Sequence, residues 1–83
     1  MLESINEAVE VLTVFRPGSM SPLRFRWRNK VIKVSQVTGK WMRSEGETRL
    51  HYYSILADTS DYFELCFDAT HLKWMLSKVW LAG

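Results

Sequence analysis

Apolar and polar side chains alternate with a period of two along most of this chain, in short runs separated by turn-forming residues. The clearest run is Leu23–Arg28, where Leu23, Phe25 and Trp27 alternate with three arginines. Successive side chains of a β-strand point to opposite faces of the sheet. This run therefore predicts a strand with its rings in a core and its guanidinium groups in solvent.

Five further segments alternate in the same way and predict strands over residues 9–15, 31–37, 49–57, 62–67 and 72–80. Turn-forming residues separate them: Pro17-Gly18, Asn29-Lys30, Ser44–Glu47, Asp58–Asp61 and Asp68–His71. Short strands joined by local turns predict an all-β antiparallel meander of about six strands. Because an open sheet with one bare apolar face aggregates, we expect it to curl into a small, partly open barrel or to pair with a second copy.

Four segments carry more specific expectations. The spacing of Leu2, Ile5 and Ala8 allows one helical turn over residues 2–8. A β-bulge at residues 35–36 would return Val37 to the core face.

Gly39-Lys40 is expected to break the third strand, leaving Trp41 to cover one end of the barrel. In the last strand, the alternation places Leu72, Trp74, Leu76 and Trp80 on one face, with Met75, Ser77 and Val79 opposite.

Composition limits the class of protein. The 83 residues suffice for one domain, residues 1–83, and 47% hydrophobic with 13% aromatic residues predict a packed core. Cys66 is the only cysteine, so an internal disulfide is excluded. Cys66, His51 and His71 are the only Cys and His side chains, one fewer than the four ligands of a structural zinc site. We therefore expect no metal and no cofactor. The acidic start, residues 1–7, lacks the apolar segment of a signal peptide, so a cytoplasmic location is expected.

The net charge of +2 conceals a basic segment. Residues 16–50 carry nine Lys and Arg against two Glu, or +7, whereas residues 1–15 carry −3 and residues 51–83 carry −2. Arginines at alternate positions of a strand lie about 7 Å apart, close to the repeat of phosphates along a nucleic-acid strand. The predicted nucleic-acid-binding residues are Arg24, Arg26, Arg28, Lys30 and Lys33. The alternative is that these are ordinary solvent-side residues, neutralised by cross-strand glutamates.

A protein-binding surface is predicted near the chain end. Trp80 lies close to the end of the last strand, where it can be either buried or exposed. An exposed Trp80, together with Met75 and Tyr62 and with Val79 nearby, would mark a surface for a protein partner.

The sequence contains no recognisable catalytic motif. His51 falls on the core-facing side of its strand, Asp68 and His71 share a turn, and Cys66 has no basic neighbour in sequence that would lower its pKa. We therefore expect a protein that is not an enzyme.

Several strand segments together form a pattern along most of the chain. In order, they are Phe25-Arg-Trp-Arg-Asn-Lys30, Ile32-Lys-Val34, Val37, Trp41, Tyr52-Tyr53-Ser-Ile55, Phe63-Glu-Leu65, Asp68 and Trp74-Met-Leu76. This order resembles a family of small uncharacterised bacterial β-domains. These domains occur alone and are similar to the C-terminal region of the Y-family-polymerase-like accessory subunit of mutagenesis cassettes. The resemblance implies a β-fold and an association with DNA-damage proteins, and it brings no catalytic residue.

Two functions remain open from the sequence. The first is a non-enzymatic protein-interaction module, linked to DNA repair or replication, that works as a monomer or homodimer. Its partner would bind an exposed strand edge or the Trp80 surface. The alternative is a single-stranded nucleic-acid-binding domain that uses the arginine stripe.

Overall fold

Each predicted run of alternating residues forms a β-strand in the computed structural model, which describes residues 1–81. The six strands are β1 (Leu2–Arg16), β2 (Ser19–Trp27), β3 (Lys30–Glu45), β4 (Thr48–Ala57), β5 (Tyr62–Asp68) and β6 (Lys73–Trp80). All neighbours are antiparallel and follow chain order. The predicted all-β meander barrel is therefore confirmed.

The ring of strands closes through β1. Its first half, from Leu2 to Val9, pairs with β6, and its second half, from Glu10 to Arg16, pairs with β2. The prediction left the barrel partly open, whereas the β1–β6 pairing completes the ring.

The helical turn allowed over residues 2–8 is absent, because this segment is part of β1. Its hydrogen bonds to β6 satisfy backbone groups that one marginal helical turn would leave to water. The strand is irregular within this segment: its register with β6 shifts between Ser4 and Glu7, and Asn6 has a φ of 54°.

The β3 strand runs without interruption through Gly39, so the predicted break at Gly39-Lys40 is wrong. Gly39 pairs with Ser54 and Lys40 with Tyr53, and the strand ends only at Glu45. Trp41 consequently lies within β3, on the outer face, instead of covering the end of the barrel.

Bulges decide which residues face the core. The predicted bulge after Val34 is present, since Ser35 has no partner in the β3–β4 register, and both Val34 and Val37 pack against the core. A bulge at Leu23 in β2 was not predicted. It buries Pro22 and leaves Leu23 in solvent, although Phe25 remains buried as expected.

A third bulge, at Ser77 in β6, reverses the predicted facing of the chain end. Leu65 pairs with Leu76, but the preceding Glu64 pairs with Lys78, so Ser77 is the extra residue. Val79 is therefore buried and Trp80 is exposed. Leu72, also predicted inside, lies in the β5–β6 turn with a φ of 54° and is exposed.

The core is formed by side chains from all strands except β1, which adds half-buried residues around it. Phe25 and Phe63 meet edge to face with 5.2 Å between ring centroids, and Trp74 lies tilted against Tyr53 and Phe67. Trp27 packs on Phe63 at 6.1 Å and is half-buried. The fully buried core residues include Ile55, Leu65, Leu76 and Val79.

Leu76→Ala should destabilise the protein by about 2 to 5 kcal/mol, because it leaves a cavity in a core that cannot fully collapse. Equilibrium urea unfolding followed by circular dichroism measures the change. Leu23→Ala is the matched control: this leucine is 46% exposed, so its truncation should cost no more than about 0.5 kcal/mol. Equal losses in the two variants would contradict the bulge at Leu23.

Candidate functional site

Three of the predicted nucleic-acid-binding residues share the outer face of the β2–β3 hairpin. Arg24 lies directly opposite Lys33, and Arg26 lies between the exposed Val31 of β3 and Glu10 of β1. Within residues 1–81, none of these three cations forms an ion pair. The hairpin therefore presents three solvated positive charges on one surface, which we call the β2–β3 cationic face (Arg24, Arg26 and Lys33).

Lys30 is placed differently. It pairs with Trp27, so its position belongs to the opposite face of the hairpin from Arg26, although its side chain is exposed at the end of the strand.

Arg28 does not belong to the predicted stripe. It occupies the two-residue turn between β2 and β3, where Arg28 and Asn29 have φ values of 49° and 63°. Positive φ at both positions is typical of the tight turn that joins antiparallel strands. The turn thus lies one residue earlier than the predicted Asn29-Lys30.

Glu7 holds the turn against β1. Its carboxylate accepts hydrogen bonds from Arg28 Nη2 at 2.9 Å and from Trp27 Nε1 at 3.1 Å. These two bonds, with that from Arg28 the stronger, lower the pKa of Glu7. The Arg28 guanidinium also stacks over the Trp27 ring at 4.5 Å. Arg28 is therefore committed to a structural contact rather than free for a ligand.

The predicted partner surface forms in part. Tyr62, Trp80 and Leu2 are consecutive in one row across β5, β6 and β1, and their side chains are 45%, 56% and 49% exposed. A groove of about 450 Å³ lies beside this row. Its lining residues are Thr38, Ser54, Ser60, Tyr62, Trp80 and Leu81. We call this region the Trp80 groove.

Met75 does not join the Trp80 groove. It pairs with Cys66 and Ala8, five residues along β6 from Trp80. Val79, the other expected neighbour, points into the core. The Ser77 bulge explains why Val79 is in the core, whereas Met75 faces outward like Trp80 and is excluded from the groove only by its distance along β6.

A second aromatic surface was missed by the sequence reasoning. Trp41 and Tyr52 are cross-strand partners on the outer face, and their rings stack with centroids 5.4 Å apart and planes within 3°. Arg43 lies over the Tyr52 ring at 5.7 Å. The signal was present in the alternation of β4, but the predicted break at Gly39 removed Trp41 from the sheet.

Cys66 lies beside this aromatic pair and is buried. Burial raises the pKa of its thiol, so the thiolate that nucleophilic chemistry requires is disfavoured. This agrees with the expectation that Cys66 has no activating neighbour.

An opening between two hairpins was also missed. Phe15 and Met20 from the β1–β2 hairpin face Lys40, His51 and Tyr53 from the β3–β4 hairpin across a space of about 460 Å³. These residues are far apart in sequence, so no local pattern brings them together. We call this space the β2–β3 slot.

Asp68 organises the β5–β6 turn. Its Oδ1 accepts hydrogen bonds from the backbone N–H groups of Thr70 and His71 at 2.9 and 3.0 Å, and its Oδ2 lies 2.7 Å from His71 Nδ1. Burial by itself would raise the pKa of Asp68, but these hydrogen bonds outweigh it and lower the pKa. The pair is explained by the turn, as the sequence predicted for an Asp that bonds its own backbone.

The protein should lose stability as the pH falls through the lowered pKa of Asp68. The ionised carboxylate accepts the turn's N–H donors, so its stabilisation is present above the unfolded-state pKa of about 3.9 and disappears below the folded-state value. Thermal unfolding between pH 2 and 7 measures this dependence. Asp68→Asn should lower the melting temperature near neutral pH and flatten the acid limb of the curve, whereas Asp58→Asn, in the exposed β4–β5 turn, should leave that limb unchanged. An acid limb unaltered by Asp68→Asn would contradict this role.

Comparisons with protein-family models, with curated proteins and with solved structures found no match. In the described part of the chain, no helix has the length and apolar character needed to cross a membrane. Among the same residues, His, Cys, Asp and Glu side chains form no cluster of three suited to a metal ion.

Proposed function

We propose that this domain is a non-enzymatic protein-interaction module and that the Trp80 groove is its principal docking surface. The observation that supports the proposal most directly is the exposed row of Leu2, Trp80 and Tyr62 beside an open groove. Large aromatic side chains contribute most of the binding free energy of many interfaces.

The shape and polarity of the groove indicate the kind of partner. Leu81, Trp80 and Tyr62 supply apolar surface, while the hydroxyl groups of Thr38, Ser54 and Ser60 lie on the other side. Thr38 Oγ1 donates to the backbone oxygen of Ser54 at 3.1 Å and lies 3.0 Å from its hydroxyl, which fixes that wall. An apolar or aromatic anchor residue of a partner, flanked by polar groups, fits this arrangement.

The location belongs to the same proposal. A cytoplasmic domain keeps Cys66 reduced, and its burial protects it further. A link to DNA repair or replication rests on the resemblance to the bacterial β-domain family, and monomer and homodimer remain alternatives.

Trp80→Ala should weaken peptide binding by about tenfold or more, because it removes the central aromatic anchor. Peptides selected on the wild-type protein from a random twelve-residue phage-display library serve as probes, and fluorescence anisotropy measures their affinity.

Trp41→Ala is the matched control, since Trp41 is 42% exposed but lines a different depression of the outer face, with Arg43 and Tyr52, and is not part of the Trp80 groove. Selected peptides should keep their affinity for this variant. Peptides that bind the Trp80→Ala variant as tightly as the wild type would contradict the proposed surface.

Single-stranded nucleic-acid binding is the second candidate, and the β2–β3 cationic face favours it. Its three side chains have no ion-pair partner in the part of the chain that the structure describes. The stacking aromatics expected beside them are elsewhere, on β3–β4 and at the Trp80 groove. We therefore rank this function second.

The double variant Arg24→Gln, Arg26→Gln should abolish any binding of a labelled oligothymidylate. Three phosphate contacts predict a log–log salt dependence with a slope of about −2 for the wild type. Arg28→Gln is the control, because Arg28 is held by Glu7 and should contribute little. No binding at low salt, or equal losses in both variants, would remove this function.

A further inference from the structure

The β2 and β3 strands separate soon after their shared turn. They pair only from Arg24 to Trp27 against Lys30 to Lys33. Beyond this point, residues 19–22 of β2 pair only with β1, and β3 from residue 34 to residue 45 pairs only with β4, apart from the bulged Ser35 and Thr38. Two strand edges therefore face each other across the β2–β3 slot without pairing.

The two edges differ in what already binds them. The Tyr53 hydroxyl crosses the slot and donates a hydrogen bond to the backbone oxygen of Met20 at 3.3 Å. This bond occupies part of the β2 edge and holds the two hairpins at a fixed separation. The β3 edge, which is more than twice as long, has no such bridge from the residues lining the slot. Unpaired backbone groups along a strand are a template for an added strand.

The slot is positively charged. Arg16 and Lys40 line it, and its lining residues include no carboxylate. Where the slot begins, the last paired residues of β2 and β3 are Arg24 and Lys33, which lie directly opposite each other. A second copy of this chain would bring the same cations into the slot, so self-pairing is disfavoured there, whereas a negatively charged segment is attracted.

Two apolar side chains line the slot on the β1–β2 side, next to Arg16. Phe15, 69% exposed, and the half-buried Met20 provide this surface. An extended chain bound along β3 would present alternate side chains to this wall and to solvent.

We propose that the β2–β3 slot binds an acidic, extended peptide segment as an added strand along the β3 edge. Backbone hydrogen bonds to β3 provide affinity, and Phe15 and Met20 receive the apolar side chains. Arg16 and Lys40, which both line the slot, favour an acidic segment over a basic one. This site is separate from the Trp80 groove, so either can fail without the other.

The probe is a fluorescein-labelled decapeptide of alternating valine and glutamate, with a valine–lysine decapeptide as the charge control. Only the acidic peptide should bind, as measured by anisotropy. Its binding should shift the backbone amide resonances of residues 37–42 and slow their exchange with solvent. Equal binding of the basic peptide, or shifts confined to Leu2, Tyr62 and Trp80, would overturn the proposal.

Charge reversal provides the second test. Arg16→Glu together with Lys40→Glu should weaken binding of the acidic peptide by about tenfold or more. The Lys78→Glu control, an exposed cation on β6, and Trp80→Ala should each bind it within about twofold of the wild type. Circular dichroism of each variant establishes that it is folded.

Two other occupants are distinguished in the same experiments. If a labelled oligothymidylate bound the slot with the same dependence on Arg16 and Lys40, the proposed peptide ligand would be wrong and the slot would be a nucleic-acid site. Concentration-dependent dimerisation of the wild type in sedimentation experiments, lost in the Arg16→Glu, Lys40→Glu variant, would overturn the proposal in favour of a second copy of the chain as the occupant.

Discussion

The pairing of β1 with two neighbours is the constraint on which the rest of the structure depends. Its first half bonds to β6 and its second half to β2, so a single strand joins the last strand of the meander to the second. Closure leaves no bare apolar face, and it lets β5 and β6 be short while β1 and β3 are long. The long strands extend the molecule to 38 Å along its longest axis, against 26 and 23 Å across.

This staggered closure produces two places where neighbouring strands part, one at each end of the barrel. Near the β2–β3 turn, Glu7 on β1 binds both Trp27 and Arg28, so side chains replace the missing backbone pairing. At the other end, the Tyr53–Met20 hydrogen bond crosses the β2–β3 slot within a wider opening. The first separation is therefore closed by side chains, and the second is the opening for which we propose a peptide ligand.

The surfaces open to ligands are divided around the barrel. The Trp80 groove combines aromatic surface with hydroxyl groups, the β2–β3 cationic face is solvated, and the slot combines apolar side chains with positive charge. The sequence predicted the exposure of Arg24, Arg26 and Tyr62, because each lies in a strand with clear alternation. It left the exposure of Trp80 open, because the alternation placed this residue with the core side chains and only the Ser77 bulge turns it outward. It could not predict the slot, since Phe15 and Lys40 meet only through the separation of two hairpins.

The sequence by itself determined the six strands, their antiparallel order and the burial of Phe25, Phe63 and Leu65, because period-two alternation and turn residues are local signals. The tertiary structure decided where that alternation changes phase. The bulge at Leu23 turned this leucine, which was predicted to face the core, outward. The bulge at Ser77 placed Val79 in the core and Trp80, which alternation had placed there, in solvent. A bulge is set by the register that a strand adopts with its neighbours, and register depends on contacts between residues distant in the chain.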